Sequence, residues 1–455
     1  MKMKRTIKLE PKGPLRGEIS PPTDKSISHR AVILASIAKG KSRIEKLLLA
    51  ADTLSTLEAM RLLGVKIEGY GKKITVGSGR YYENYEITGV GLHGLSEPAS
   101  VIDCGNSGTT MRLLCGLLSG NPFFSVLSGD ESLNRRPMGR VIRPLSMMGA
   151  RITAKGTDFR PPIEIRGGAL KGKPYEMPIA SAQVKSALML AGLYAQGETV
   201  IEEPYPSRDH TEKMLRSMGA DVKDFMDGAK HVIKVQRPPD ELAPFEISVP
   251  GDFSSAAFFI IGALITEGSD LLIKNVCLNP TRTGLLDALK GMGARIEIKN
   301  RNTISGEPVG DLRVNGAQKL TAIDMTGEKQ GSSVPLMIDE LPVLFVAAAC
   351  AEGRSVIREA AELRVKESDR IKAMASGLAA MGVEVEEFED GLAITGGKMR
   401  GAKIDSFGDH RVAMAFSIAA LAASGVTEIE GGEEAVKISY PEFFDRLDSL
   451  RGLVK

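Results

Sequence analysis

RPLSMMGARIT, residues 143–153, is the stretch on which the reading of the fold turns. An apolar run with helical spacing ends at Met148, Gly149 follows, and apolar and polar residues then begin to alternate. Glycine there lets a helix close in the left-handed conformation, and period-two alternation after it reads as a strand. The same pattern recurs as EAMRLLGVKIE around Gly64, EKMLRSMGADVK around Gly219, DALKGMGARIEI around Gly293 and SGLAAMGVEVEE around Gly382. A degraded copy, FDRLDSLRGLVK, surrounds Gly452. Successive glycines are 85, 70, 74, 89 and 70 residues apart. Those intervals are too long for a stacking solenoid, so each copy marks a small α/β unit. Helix–Gly–strand is a common junction, and two or three copies would be weak evidence. Six with similar flanks favour duplication, with three units in each half.

A chain of 455 residues is too long for one ordinary core, which predicts two domains of roughly 200 residues. The boundary is read at EISVPGDFSSAAFF, where Pro250-Gly251 breaks the chain before an apolar helix. A second crossing is read near Ile19–Pro22, within the turn-rich SPPTDKS. Residues 1–21 and 251–455 then form a C-terminal-side lobe and 22–250 an N-terminal-side lobe, with two short connectors that suggest closure on a ligand. Hydrophobic content of 43% and charged content of 25% fit a soluble globular protein. The net charge of +2 excludes a general polyanion binder, so a strongly basic site must be local. The absence of Trp and only 5% aromatic residues argue against base stacking on nucleic acid. Cys104, Cys115, Cys277 and Cys350 show no CxxC and read as reduced, mostly buried thiols of a cytosolic protein. MKMKRTIKLEPKGPLRG has a basic stub without an apolar stretch, unlike a secretory signal. The apolar runs near Ser254–Ile265 and Leu341–Ala351 are too short to span a bilayer and predict buried helices.

Eight segments carry the chemistry. Asp24-Lys25-Ser26-Ile27-Ser28-His29-Arg30 sets cations and hydroxyls at the start of an apolar helix, whose free N–H groups favour an anion. A polar N-cap with a basic face would look the same. DCGNSGTTMR (103–112) can form a nest for phosphate or carboxylate, or a plain Gly-rich turn. It lacks the GK[ST] of a Walker loop, so a nucleoside triphosphate is unsupported. NRRPMGR (134–140), with Arg143 behind it, gathers arginines that an anion or carboxylates must neutralise, unless they form a surface patch. ASAQVKS (180–186) opens another apolar helix, where Ser181 and Gln183 either orient a polyhydroxy ring or cap the helix. Ser207-Arg208-Asp209-His210 supplies a further anion clamp. Asp339, in MIDELP, sits among apolar residues that suit an acid–base carboxyl, and it is also placed to cap the next helix. In ELRVKESDR (362–370), read as helix, Lys366 and Arg370 share a face with Glu367 beside them. Glu362 and Lys366 are an ordinary i,i+4 pair, but two like charges one turn apart call for a multiply charged anion. Gly408-Asp409-His410-Arg411 repeats the cation at a helix start, with Arg411 ranked above His410. Five His and four Cys form no recognisable metal cluster. The reading expects neither metal nor cofactor, with the positive field supplied by side chains and helix dipoles.

Together DKSISHR, GNSGTTMR, RRPMGR, ASAQVKSA, NPTRTG, MIDELP, LRVKESDR and GDHRVAM, in that order from about Lys25 onward, resemble the 3-phosphoshikimate 1-carboxyvinyltransferases. ASAQVKSA and RRPMGR look like the bacterial subgroup that includes glyphosate-tolerant members. The resemblance implies an α/β fold of the enolpyruvyl transferase type: a two-lobed inverse α/β barrel with three βαβαββ units per lobe. It implies transfer of the enolpyruvyl group of phosphoenolpyruvate to the 5-hydroxyl of shikimate 3-phosphate, by addition and elimination of phosphate, in the shikimate pathway to aromatic amino acids. It further implies a cytoplasmic monomer with glyphosate as an inhibitor to test, and no nucleic-acid or membrane partner. By resemblance Lys25, Ser26, Arg30, Ser181, Ala182, Gln183, Arg208, Asp339 and Lys366 bind shikimate 3-phosphate. Lys25, Asn106, Gly108, Arg136, Gln183, Arg370 and Arg411 match the phosphoenolpyruvate site. Asp339 is the matching base for the 5-hydroxyl, Glu367 and Lys366 match an acid/base pair, and Lys25 is counted with the catalytic groups. Some positions depart from the pattern. Glu362 stands where many relatives have Asn, and Leu113 where glyphosate-sensitive enzymes usually have Pro. Lys437 falls one residue early before Ser439-Tyr440-Pro441 and is left out of the site. Sister enzymes that transfer enolpyruvate to a UDP-amino sugar share the fold but generally carry Lys-Asn where Lys25-Ser26 stands.

Overall fold

The computed structural model describes residues 5–11, 13–76, 79–238, 241–316, 318–326 and 334–453. It divides into two compact units. One, the C unit, comprises Met1–Pro22, Pro250–Thr303 and Glu307–Lys455; the other, the N unit, comprises Thr23–Val249 with Ile304–Gly306. The described chain begins with β1 (Thr6–Leu9) and β2 (Arg16–Ile19), both strands of the C unit.

Three repeats build the N unit. In the first, α1 (Lys25–Ile37), β3 (Lys39–Glu45) and α2 (Ala51–Leu62) lead to the hairpin of β4 (Lys66–Val76) and β5 (Gly79–Val90). The second runs β6 (Ile102–Asp103), α3 (Gly108–Ser119), β7 (Phe124–Ser128), α4 (Glu131–Asn134), α5 (Gly139–Met147), β8 (Arg151–Lys155) and β9 (Arg160–Arg166). The third runs β10 (Pro174–Glu176), α6 (Ala182–Gly192), β11 (Thr199–Glu203), α7 (His210–Ser217), β12 (Val222–Asp227) and β13 (Lys230–Val235). Their sheets are ordered β6-β7-β9-β8 and β10-β11-β13-β12, a parallel pair followed by antiparallel ones. In the N unit no described strand precedes α1, because β2, next before it in the chain, belongs to the C unit. β14 (Glu246–Ser248), at the far end of the unit, fills the place parallel to β3 and completes β14-β3-β5-β4.

The C unit repeats the scheme. α8 (Phe253–Ile265), β15 (Asp270–Cys277), α9 (Gly284–Gly291), β16 (Ile296–Ile304) and β17 (Glu307–Asn315) come first, and β2 supplies the missing strand parallel to β15. β18 (Asp324–Met325), α10 (Leu341–Ala349), β19 (Arg354–Ile357), α11 (Arg370–Ala380), β20 (Glu384–Phe388) and β21 (Gly391–Thr395) follow in the order β18-β19-β21-β20. The last repeat has β22 (Lys403–Asp405), α12 (His410–Ala422), β23 (Thr427–Glu430), α13 (Gly432–Val436) and α14 (Phe443–Leu450). It lacks the hairpin, and β1 pairs antiparallel with β23 instead.

The six repeat glycines are where the pattern predicts a left-handed residue. Gly64, Gly149, Gly219, Gly293, Gly382 and Gly452 have φ of +89°, +101°, +88°, +87°, +87° and +69°. At Gly219 nothing lies within 4 Å of an added Cβ, so backbone conformation alone asks for glycine there. The two apolar runs form α8 and α10, buried along nearly their whole length, and helices apolar all round are buried all round. Phe253, Phe258, Phe259, Phe345 and Phe416 lie at the centre of this C-unit core. In the N unit α3 crosses α6 closely: a Cβ at Gly116 would lie 2.0 Å from the carbonyl oxygen of Ala187. That approach brings the first turns of α3 and α6 together. None of the four cysteines is in a disulfide, and burial pushes the Cys115 thiol up to about 12. Among the described residues no helix is long and apolar enough to cross a membrane.

Candidate active site

The sequence segments singled out for chemistry lie at helix starts. Asp24, Ser107, Ser181, Asp369 and Asp409 cap α1, α3, α6, α11 and α12, each accepting from a backbone N–H of the first turn. Capping and substrate binding are not exclusive, because capping leaves the neighbouring side chains free to face a ligand.

In the N unit, Lys25 Nζ lies 3.0 Å from Asp52 Oδ2 on α2. Arg208 Nη1 donates to Ser26 Oγ at 3.3 Å. Arg30 is buried. Its Nε donates to Thr211 Oγ1 at 2.7 Å, Nη1 to the Ser26 carbonyl at 3.0 Å and Nη2 to Ser186 Oγ at 2.8 Å. It therefore stitches α1 to α6 and α7. Ser181, Ala182 and Gln183 are the cap and first turn of α6, joined to this group through the contact of Arg30 with the Ala182 carbonyl at 3.5 Å.

A second group forms around α3. Arg136 Nη2 donates to Asn106 Oδ1 at 2.8 Å, and Asn106 Nδ2 donates to Asp130 Oδ2 at 2.7 Å. A Cβ on Gly108 would meet Arg112 Nη1 at 2.7 Å and Arg136 Nη1 at 3.3 Å. Of the arginines in NRRPMGR, Arg136 is the one placed beside Asn106 and Gly108. Arg135 pairs with exposed Glu131, and Arg143 stacks over the Phe159 ring. Arg112 bridges the two groups: its Nη1 donates to Gln183 Oε1 at 2.6 Å, while Gln183 Nε2 donates to Thr109 Oγ1 at 2.8 Å. Arg112 closes the DCGNSGTTMR segment, one helical turn after Gly108, and joins the site residues here although the family resemblance assigns it no substrate. A buried chain, His29 Nδ1 to Thr56 Oγ1 and Thr56 Oγ1 to Thr110 Oγ1, each 2.7 Å, ties α1, α2 and α3 together. Burial, then Lys25 and Arg30, hold His29 well below the usual imidazole range, so it is neutral here.

The C unit holds a denser cluster. Arg370, 1% exposed, donates from Nε to Asp409 Oδ2 at 2.8 Å and from Nη2 to Glu367 Oε2 at 2.6 Å, with Nη1 3.5 Å from Asp339 Oδ1. Arg411 Nη1 donates to the Asp339 carbonyl at 3.0 Å, and its Nη2 lies 3.6 Å from Asp339 Oδ2. Burial works against the charge of Arg370, but Asp409, Glu367 and Asp339 outweigh it and raise its pKa. Burial likewise opposes the Asp409 carboxylate, and Arg370 holds it below the ordinary aspartate range. Asp409, inside the GDHR segment ahead of a helix, is given no substrate by the family resemblance, and the structure adds it as the partner of Arg370.

Two expectations need correction. Lys366 and Arg370 do not share a helical face. Ala361–Val365 is a 3-10 turn, Lys366 is extended, and α11 starts at Arg370 behind the Asp369 cap, whose carboxylate also takes Arg364 at 2.9 Å. Lys366 Nζ instead lies 2.6 Å from Glu362 Oε1, the plain i,i+4 pair. The like-charge conflict is resolved by carboxylates, so it is no argument for an anionic ligand. Nor does Asp339 cap α10. Glu340 holds that position, with its side chain accepting from Ser254 Oγ, and Asp339 faces the arginines.

The sequence model of EPSP synthase (3-phosphoshikimate 1-carboxyvinyltransferase) matches residues 9–447. The chain is 52% identical over 440 residues to the 3-phosphoshikimate 1-carboxyvinyltransferase of Thermodesulfovibrio yellowstonii, covering 96% of this chain and 97% of the relative. It is 51% identical over 443 residues to that of Geobacter sp. strain M21, covering 97% and 98%. Among solved structures, EPSP synthase from Acinetobacter baumannii superposes with a TM-score of 0.82 at 46% identity, over 98% of both chains. The enolpyruvyl transferase NikO of Streptomyces tendae shares the fold at 18% identity, with a TM-score of 0.74 over 98% of both chains. With these helix starts, this six-repeat architecture and this likeness across nearly its whole length, the chain belongs to the EPSP synthase (3-phosphoshikimate 1-carboxyvinyltransferase) family.

Proposed function

We propose that this chain carries out its family's reaction, transfer of the enolpyruvyl group of phosphoenolpyruvate to the 5-hydroxyl of shikimate 3-phosphate, with Asp339 and Glu367 moving the protons. The observation that carries the assignment is the Asp339 carboxylate placed against Arg370 and Arg411, with Glu367 on the same Arg370 guanidinium. Three carboxylates converge on Arg370, and like charges so close favour a proton on one of them. Asp409 is buried and held ionised, whereas the Glu367 side chain is 20% exposed, so the acid role is assigned to Glu367.

Glu367 gives that proton to the methylene carbon of phosphoenolpyruvate, leaving a cation-like C2. The 5-hydroxyl oxygen bonds to C2 as Asp339 takes the hydroxyl proton. In the tetrahedral adduct the C2–O bond to phosphate then breaks, a methyl proton returns to Glu367, and the enol ether and phosphate are released. Arg136, Arg370 and Arg411 suit forked recognition of carboxylate and phosphate. Lys25, Ser26, Arg30, Ser181, Ala182, Gln183 and Arg208 are assigned to shikimate 3-phosphate. Arg30 also holds the helices together, through its bonds to Thr211 Oγ1, the Ser26 carbonyl and Ser186 Oγ. Asn106 and Gly108 are assigned to phosphoenolpyruvate with Arg136, and Lys25 and Gln183 contact both substrates. Lys366 assists from its ion pair with Glu362. We also read the protein as a cytoplasmic monomer; light scattering on the purified protein tests the oligomeric state, and cell fractionation the location.

The test is phosphate release from phosphoenolpyruvate in the presence of a chelator, with shikimate 3-phosphate or UDP-N-acetylglucosamine as acceptor. Release is expected with the first alone and at an undiminished rate. No release with shikimate 3-phosphate, or release with the UDP-sugar, overturns the reading.

A further inference from the structure

One buried group in the N unit has no part in the steps above. Lys185, on α6 two residues after Gln183, is fully buried. Its Nζ lies 2.9 Å from Glu203 Oε1 and 2.7 Å from Glu212 Oε1, and donates to the Ser207 carbonyl at 3.0 Å, so one buried ammonium faces two carboxylates and a carbonyl. Glu203, at the end of β11, accepts on Oε1 from the Ser207 N–H at 2.9 Å and on Oε2 from the Ser207 hydroxyl at 2.7 Å. His231, opposite Glu203 on β13, contacts the same carboxylate at 2.9 Å. Ser207 is thus held at its N–H, its hydroxyl and its carbonyl. The next residue is Arg208, which donates to Ser26 Oγ, and Thr211 nearby accepts from Arg30 Nε and shares a hydrogen bond with Ser186 Oγ.

We infer that Lys185, acting through Glu203 and Ser207, is a positioning residue for Arg208 and fixes that guanidinium in the subsite for the phosphate of shikimate 3-phosphate. A buried charged cluster is a costly way to gain stability, because desolvation offsets much of the attraction. It does fix geometry. The cluster clamps one serine beside a flexible arginine, and an anion subsite gains most from groups held in place before the ligand arrives. The inference rests on the assignment of Arg208 to shikimate 3-phosphate.

A double-mutant cycle tests it, with kcat and both KM values measured. Lys185→Met alone would leave two buried carboxylates without their cation, so it is combined with Glu212→Gln. This pair is expected to raise KM for shikimate 3-phosphate about tenfold, with KM for phosphoenolpyruvate and kcat changed less than about threefold. In an Arg208→Ala background the same pair should change that KM by less than about twofold, because the effect passes through Arg208. An equal rise in both backgrounds overturns the inference, as does a fall in kcat with both KM values unchanged, which would report only a loss of folded protein. If the pair does not fold, Ser207→Ala decides, since it leaves the ion cluster intact. A rise of about threefold in the same KM, absent in the Arg208→Ala background, supports the coupling, and no change overturns it. Arg208→Ala with an unchanged KM for shikimate 3-phosphate would instead refute the role of Arg208 itself.

Discussion

Asp409 is the residue on which the C-unit cluster rests, for it is the fully buried counter-ion of a fully buried arginine. Asp409→Asn keeps the shape and the helix cap, since Asn caps nearly as well as Asp. The change therefore reports the charge. Breaking such a pair is expected to lower the unfolding free energy by about 3 kcal/mol and, by loosening Arg370, to raise KM for phosphoenolpyruvate about tenfold or more. Denaturant titration and steady-state kinetics check the two numbers, and a variant unchanged in both would contradict this role. At Gly108 an added methyl would press on the guanidinium tips of Arg112 and Arg136, which are side-chain ends able to shift. Gly108→Ala is expected to weaken glyphosate inhibition much more than phosphoenolpyruvate binding. Equal changes in the inhibition constant and in KM would refute that. Charge marked Asp339, Arg370 and Arg411 in the sequence, and the fold brings the three side chains together. Lys366 was misread because helical periodicity through ELRVKESDR conceals the Asp369 cap that restarts the helix.

Elements depend on two kinds of glycine and on the buried ion cluster. Gly219→Ala meets only the left-handed backbone and should cost about 1–2 kcal/mol. Gly116→Ala drives a methyl into the backbone of α6 and should cost more, about 3 kcal/mol, while displacing Arg112 from Gln183. Thermal unfolding of the two variants checks the order, and an equal or reversed cost would contradict it. The cluster also predicts a pH dependence. Glu203 is held down to about 2 from an ordinary 4.5, because Lys185, His231 and Ser207 outweigh burial. A depressed carboxyl contributes stability that is complete above about 4.5 and is lost as pH falls toward 2. Glu203→Gln should flatten the acid arm of a stability–pH profile over that window; an unchanged arm would contradict the assignment. Lys185 is raised by Glu212 and Glu203 against the effect of burial, so its contribution is lost only on the alkaline side. The repeat was legible at this scale because a left-handed helix end leaves glycine in the sequence. The strands that complete three of the sheets were not. β14, β2 and β1 join partners roughly 200 to 420 residues away, and short strands carry no local mark of a distant partner.

At the scale of the molecule, each unit is closed by a strand from far along the chain. A fragment of residues 23–249 contains all three of its sheets, β14 included, and is expected to fold alone. Ending it at residue 243 removes β14, leaves β3 without its parallel neighbour and should lower the melting temperature by about 5 °C or more. Circular dichroism on the two fragments checks this, and equal melting would contradict it. Composition was least informative here, for a net charge of +2 conceals arginines gathered at a few helix starts and matched by nearby carboxylates. The central claim remains the division of proton transfer between Asp339 and Glu367. Rapid-quench single turnovers of the wild type, Asp339→Asn and Glu367→Gln, following formation and decay of the tetrahedral adduct, test it most directly. Asp339→Asn is predicted to slow adduct formation by about 10² or more, and Glu367→Gln to slow both formation and decay. Adduct forming at the wild-type rate in Asp339→Asn, or forming and decaying at wild-type rates in Glu367→Gln, would contradict the account.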